Sequence, residues 1–136
     1  MTRINLVPPS ELCDQHLLAE HRELTRIPNQ IVKGNYKTEG APEKFKLGKG
    51  HVKFFYDKLL FLKERYQLLQ TECEHRGFDV TYKFPDLQVD ELLLKCLIKD
   101  VNYKPTKEDI TLSRYRIHTS LMRMWQKKKQ HQPRWS

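Results

Sequence analysis

The sequence predicts an all-α fold: a compact single domain of three main helices with long loops. Apolar residues recur at three- and four-residue spacings in segments 11–27, 51–76 and 106–124, and no run alternates convincingly with period two. The 136 residues, 38% of them hydrophobic, suit one core and leave little for a second independent domain.

The first helix is expected from about Glu11 to Ile27. Pro8-Pro9-Ser10 opens it, with Ser10 as the expected cap and Pro28 as the stop. At 100° per residue, Cys13, Leu17, Leu24 and Ile27 share one narrow arc, the natural core face. The opposite arc carries Gln15, His16, Ala19, Arg22, Glu23 and Arg26, polar groups gathered around one small residue. Residues 28–49 read as a loop of Pro, Gly, Asn and Lys.

The second helix is expected from about His51 to Arg76. Phe55, Leu59, Leu62, Tyr66, Leu69 and Cys73 form its core stripe, and His75-Arg76-Gly77 ends it with cations and a left-handed cap. Residues 86–99 have helical character, with a buried irregular connection as the alternative. Pro105-Thr106 opens the third main helix, Thr106 capping and Ile110, Ile117, Leu121 and Met124 on one face. Arg114, Arg116 and Arg123 decorate it, and the lysines at 127–129 follow.

Charge narrows the function. The net charge is +8, and residues 101–136 hold nine basic against two acidic side chains. Such a concentrated patch fits a polyanion, nucleic acid first and an acidic membrane surface second; a solubilising tail is the plainer alternative. No stretch approaches the roughly 20 apolar residues of a membrane span, and the opening residues form no signal run. A cytoplasmic location is the expectation. Cys13, Cys73 and Cys96 are odd in number and far apart, so reduced thiols are expected. The six histidines are scattered, and no metal site is expected.

Phosphate-binding glycine loops, the hydrolase nucleophile elbow and the zinc-deaminase signature are all missing from the sequence. One nucleophile needs no motif, the α-amine. Met1 is normally removed when a small residue such as Thr2 follows, and an α-amine titrates near ~8, so part of it is neutral and able to form imines with sugar carbons. Nearby Arg3, Arg22 and Arg26 would lower that value further and bind phosphates. Taken alone, Thr2 reads more simply as a frayed terminus. Glu23 likewise reads as a surface salt bridge with Arg22 or Arg26, although a carboxylate can also stabilise an oxocarbenium-like sugar and shuttle protons.

Two blocks add a resemblance. Met1-Thr2-Arg3-Ile4-Asn5-Leu6, Ser10-Glu11-Leu12, Asp14-Gln15-His16-Leu17, Ala19-Glu20 and Arg22-Glu23-Leu24 with Arg26 form the first. Gly48-Lys49-Gly50-His51-Val52-Lys53-Phe54-Phe55-Tyr56-Asp57-Lys58-Leu59, extended by Glu72-Cys73 and Arg76-Gly77-Phe78, forms the second. Together they cover about half the chain and resemble the pyrimidine-dimer DNA glycosylases of the phage UV endonuclease V type. Residues 1–136 are then expected to be one such domain, best supported over 1–27 and 46–78.

The resemblance implies an all-α, bifunctional glycosylase and AP lyase, active on cyclobutane pyrimidine dimers without metal or organic cofactor. By position, Thr2 is implied as the nucleophile and Glu23 as the essential carboxylate. Arg3, Gln15, His16, Arg22 and Arg26 match DNA-contacting positions, and Arg116 falls on a phosphate contact. The family carries a basic residue where Ser120 stands, with Arg123 the candidate substitute, and the C-terminal aromatic segment is altered to Trp125, three lysines and Trp135. The implied partner is double-stranded DNA carrying UV lesions or abasic sites, met by a monomer with no membrane. Alternatives are an AP lyase or a glycosylase for other damaged bases on the same fold, or a noncatalytic basic DNA-binding protein.

Overall fold

The computed structural model describes residues 2–34, 36–37, 39–85 and 103–130. These are helical, with no strand among them, so the expected all-α class holds. A single turn of 3-10 helix (Pro9–Glu11) leads into α1 (Asp14–Leu24) and α2 (Arg26–Val32); α3 (His51–Phe54), α4 (Leu59–His75) and α5 (Lys107–Gln130) follow. The expected helical character of 86–99 lies outside the described residues.

The first expected helix is two. Ser10 falls in the 3-10 turn, and the cap of α1 is Cys13, whose Sγ accepts the His16 N–H at 3.5 Å. Pro28 does not stop the helical path. Its ring would crowd the carbonyl four residues back, which breaks the run at Thr25, but it then sits in the first turn of α2, where a missing N–H costs nothing. Leu17, Leu24 and Ile27 are fully buried, as the wheel predicts, while Cys13 is only half-buried.

The second expected helix is also divided, into α3 and α4. Lys58 has φ −120° and ψ 42° at the break. Its Nζ turns back to the Phe54 carbonyl at 3.0 Å, lies 3.9 Å from the centre of the Phe54 ring and pairs with Asp57 at 2.9 Å. That interruption buries the consecutive Phe54 and Phe55 together, which one continuous helix would turn about 100° apart. The rest of the stripe holds: Leu59, Leu62, Leu69 and Cys73 are buried and Tyr66 half-buried. Gly77, at φ 82°, supplies the expected left-handed cap, with Phe78 N–H on the Cys73 carbonyl at 2.9 Å and Gly77 N–H on Glu74 at 3.0 Å. Thr106 caps α5 as expected: its Oγ1 accepts the Asp109 N–H, and Asp109 returns a carboxylate to the Thr106 N–H, both at 3.1 Å.

The core forms where α1, α2 and α4 meet the N-terminal segment, with an aromatic group of Phe45, Phe54, Phe55, Phe61 and Tyr103 beside it. Residues 4–7 cross this core buried but non-helical. A buried backbone needs partners, and side chains supply them in place of a neighbouring strand. Ile4 N–H donates to His51 Nε2 at 2.9 Å and Leu6 N–H to Ser113 Oγ at 3.0 Å. The Ile4 carbonyl accepts Arg116 Nη2 at 3.0 Å, and the Val7 carbonyl accepts Arg65 Nη1. α3, α4 and α5 thus all hold the segment that carries Thr2.

Candidate active site

Two adjoining cavities lie beside that segment. The larger, about 700 Å³, is an open groove whose lining includes Thr2, Arg3, the turn from Lys46 to His51, Tyr115, Arg116, Ser120 and Arg123. The smaller, about 30 Å³, is lined by Arg3, Asn5, His16, Glu20, Glu23, Arg116, Ile117 and Ser120. Arg3, Arg116 and Ser120 line both, so the two cavities adjoin. Thr2 therefore lines the groove, and Glu23 and His16 line the small cavity that shares these three residues with it.

The helical path decides which acidic residue remains available. Glu20 and Glu23 are about one turn apart on α1. Glu20 is buried and fully engaged: Arg65 donates Nε and Nη2 to its two oxygens at 2.7 and 2.9 Å, and Asn5 Nδ2 adds a bond at 2.8 Å. Glu23 is half-buried in the small cavity and, among the described residues, forms no ion pair with Arg22 or Arg26. The surface salt bridge that its neighbours in sequence suggest is not made.

His16 Nε2 lies 2.9 Å from Ser120 Oγ, while its Nδ1 is buried without a partner among the described residues. Burial, then the Arg116 and Arg3 charges, hold this imidazole below its ordinary range, against an opposing pull from Glu20. Arg116 gives Nη2 to both the Ile4 carbonyl and Asn5 Oδ1, the latter at 2.7 Å. Burial and the nearby Arg3 bring its pKa down to about 10, opposed by Glu20 and Glu23, so it stays cationic at neutral pH.

Of the residues singled out in the sequence, Thr2, Arg3 and Arg116 meet in the groove, and Arg3, His16, Glu23 and Arg116 in the small cavity. Gln15, Arg22 and Arg26 are exposed and line neither. Arg123, the candidate substitute for a cation at 120, does line the groove. Sequence reasoning missed His51, Asn5, Glu20, Arg65 and Ser113, the residues that hold the site's frame. Asn5, Glu20, His51 and Arg65 had only their position within or beside the two blocks as a signal, and Ser113 lies outside both, because each acts through partners 15 to 107 residues away. Among the described residues, no three His, Cys, Asp or Glu side chains are placed to share a metal ion. No helix among them is long and apolar enough to cross a membrane.

A family model described as pyrimidine dimer DNA glycosylase matches residues 1–86. The match takes in the Thr2 segment and α1 to α4, and thus Arg3, His16, Glu23, His51 and Arg65, while Arg116 and Ser120 on α5 lie beyond it. Covering more than half of the sequence, the match places this chain in the pyrimidine dimer DNA glycosylase family, whose substrate is DNA.

Proposed function

We propose that this protein is a bifunctional enzyme, excising cyclobutane pyrimidine dimers from UV-damaged duplex DNA and then nicking the strand as an AP lyase. The observation that carries the reading is that Arg3, Arg116 and Ser120 join the groove lined by Thr2 to the small cavity lined by Glu23, which has no ion-pair partner among the described residues.

With Met1 removed, the neutral Thr2 amine attacks C1′ of the dimer's 5′ nucleotide. The C1′–N1 bond breaks and its electron pair leaves with the base. Glu23 stabilises the positive charge that develops on the sugar. The amine then passes one proton through Glu23 to O4′ as the C1′–O4′ bond breaks and the ring opens, which leaves a protonated imine. Glu23 accepts a C2′ proton, and the electrons expel the 3′ phosphate by β-elimination. The amine itself makes the electron sink, so the reaction needs neither metal nor organic cofactor. Arg3 and His16 face the reacting sugar from the small cavity, while exposed Gln15 and Arg22 on α1 and Arg26 at the start of α2 extend the DNA contact. Arg116 spends one nitrogen on the N-terminal segment and meets a phosphate from the groove. The enzyme acts as a monomer in the cytoplasm.

Borohydride trapping on a duplex with an abasic site tests the chemistry. A covalent adduct is expected, and it should vanish when the Thr2 amine is acetylated. A properly processed protein that gives no adduct would sink the imine mechanism and leave a DNA binder. Nicking of UV-irradiated plasmid that disappears after photolyase treatment identifies the dimer as substrate; nicking that survives points to another damaged base.

A further inference from the structure

The Thr2 amine sits at the end of an extended segment, and an unheld terminus frays. Productive attack needs reacting atoms within about 3–3.5 Å, so something must place that amine. Ile4 is the first fully buried residue of the segment, and its N–H has one partner, His51 Nε2 at 2.9 Å.

The imidazole is built for that single task. His51 Nδ1 lies 2.9 Å from the Lys46 carbonyl, and a carbonyl only accepts, so Nδ1 carries the proton and Nε2 is the bare acceptor. Edge-to-face contacts with Phe45 and Phe55, each 5.4 Å between ring centres, fix the plane of the ring. Burial pushes its pKa down to about 4, which keeps the neutral form in ordinary buffers. On the other face of the same residue, Arg116 holds the Ile4 carbonyl at 3.0 Å. Thr2 is two residues away, a reach of at most about 7 Å of chain. The turn from Lys46 to Gly50 that bonds His51 also lines the groove, so one ring sets the register between the groove wall and the terminus.

We infer that His51 is a positioning residue for the Thr2 amine, holding the Ile4 peptide so that the terminus is delivered into the groove at a constant distance and angle. This rests on the reading of Thr2 as the nucleophile. His51 borders the groove but is 3% exposed with both ring nitrogens engaged inside the protein, so its loss should slow chemistry and spare DNA affinity.

The test compares His51→Leu, which cannot accept a hydrogen bond, with His51→Gln, whose amide oxygen can. Borohydride trapping is followed at saturating abasic duplex, beside affinity for a duplex carrying a tetrahydrofuran abasic analogue. His51→Leu should trap about 100-fold more slowly with wild-type affinity, and His51→Gln should recover most of the rate. Imidazole ¹⁵N spectra of the wild-type protein should show a proton on Nδ1 alone. Trapping at the wild-type rate by a folded His51→Leu would overturn the inference, as would a loss that glutamine does not rescue. If the leucine variant fails to fold, the glutamine rate and the ¹⁵N spectra decide: a glutamine variant as slow as background, or a proton on Nε2, defeats it. Wild-type protein that never traps defeats the Thr2 reading itself, so the two failures are distinguishable.

Discussion

His16 on α1 and Ser120 on α5 are joined by a hydrogen bond of 2.9 Å, although 104 residues separate them. The resemblance leads one to expect a cation at 120. A hydroxyl there changes the electrostatics of the small cavity, because it partners the imidazole instead of repelling its proton. Ser120→Ala should cost about 1 kcal/mol of stability, the usual worth of one such bond, measured by urea unfolding. Ser120→Lys should push the His16 pKa further down, read from the imidazole NMR titration, and should strengthen binding to undamaged duplex at low salt. An unchanged His16 titration in the lysine variant would contradict this account.

The buried Glu20–Arg65 pair should be far more costly to break than any exposed one. Arg65→Met removes both bonds to Glu20 and the bond to the Val7 carbonyl, leaving a buried carboxylate with no counter-charge and only its Asn5 bond. The expected loss is about 3–5 kcal/mol in denaturant unfolding. Glu20→Gln added to Arg65→Met should restore part of it, since a neutral amide is less costly to bury than a carboxylate. The exposed Glu11–Arg114 pair offers the contrast: Arg114→Met should leave the urea unfolding midpoint almost unchanged.

Acid should destabilise the fold through His51. Its folded pKa of about 4 lies below the ordinary value of 6.5, so between those limits the unfolded chain binds more protons. The neutral ring's contribution is fully present above about pH 6.5 and is lost as pH falls towards 4. It amounts to about 3 kcal/mol at most. His16, also lowered, adds in the same direction. Unfolding free energies measured from pH 7 to pH 4 should fall, and His51→Gln should flatten that slope.

Glu23→Gln should leave binding to UV-irradiated duplex intact while abolishing base release, because it removes a charge but keeps the shape. Gel-shift affinity and nicking assays on one substrate check this, and wild-type nicking by the variant would refute the carboxylate's role. Stability should change little, since Glu23 forms no ion pair among the described residues and loses only a longer-range attraction to Arg116.

Gly77 carries a backbone requirement only. At φ 82° it occupies the left-handed region, yet a Cβ there meets nothing within 4 Å. Gly77→Ala should therefore cost about 1 kcal/mol from backbone strain alone, with enzymatic rate unchanged.

Periodicity and local signals determined the helical class, the Thr106 and Gly77 caps and most of the buried stripe. These are choices made within one or two turns of chain. The α1 wheel likewise put His16 and Glu23 on one side, because helix geometry alone sets that relation. The interruptions at Thr25 and Lys58 escaped local reading. The first arises from how the Pro28 ring meets a preceding turn, and the second from a lysine that folds back on the Phe54 ring and carbonyl.

Tertiary structure alone decided which carboxylate is consumed and which is left. Glu20 and Glu23 look alike in sequence, but Arg65, 45 residues on, claims the first and buries it. Only the folded chain likewise converts a lone histidine at 51 into an acceptor for Ile4, 47 residues away. A buried polar group must find its partner wherever the chain packs, and that partner is set by three-dimensional proximity, which short-range pattern does not encode.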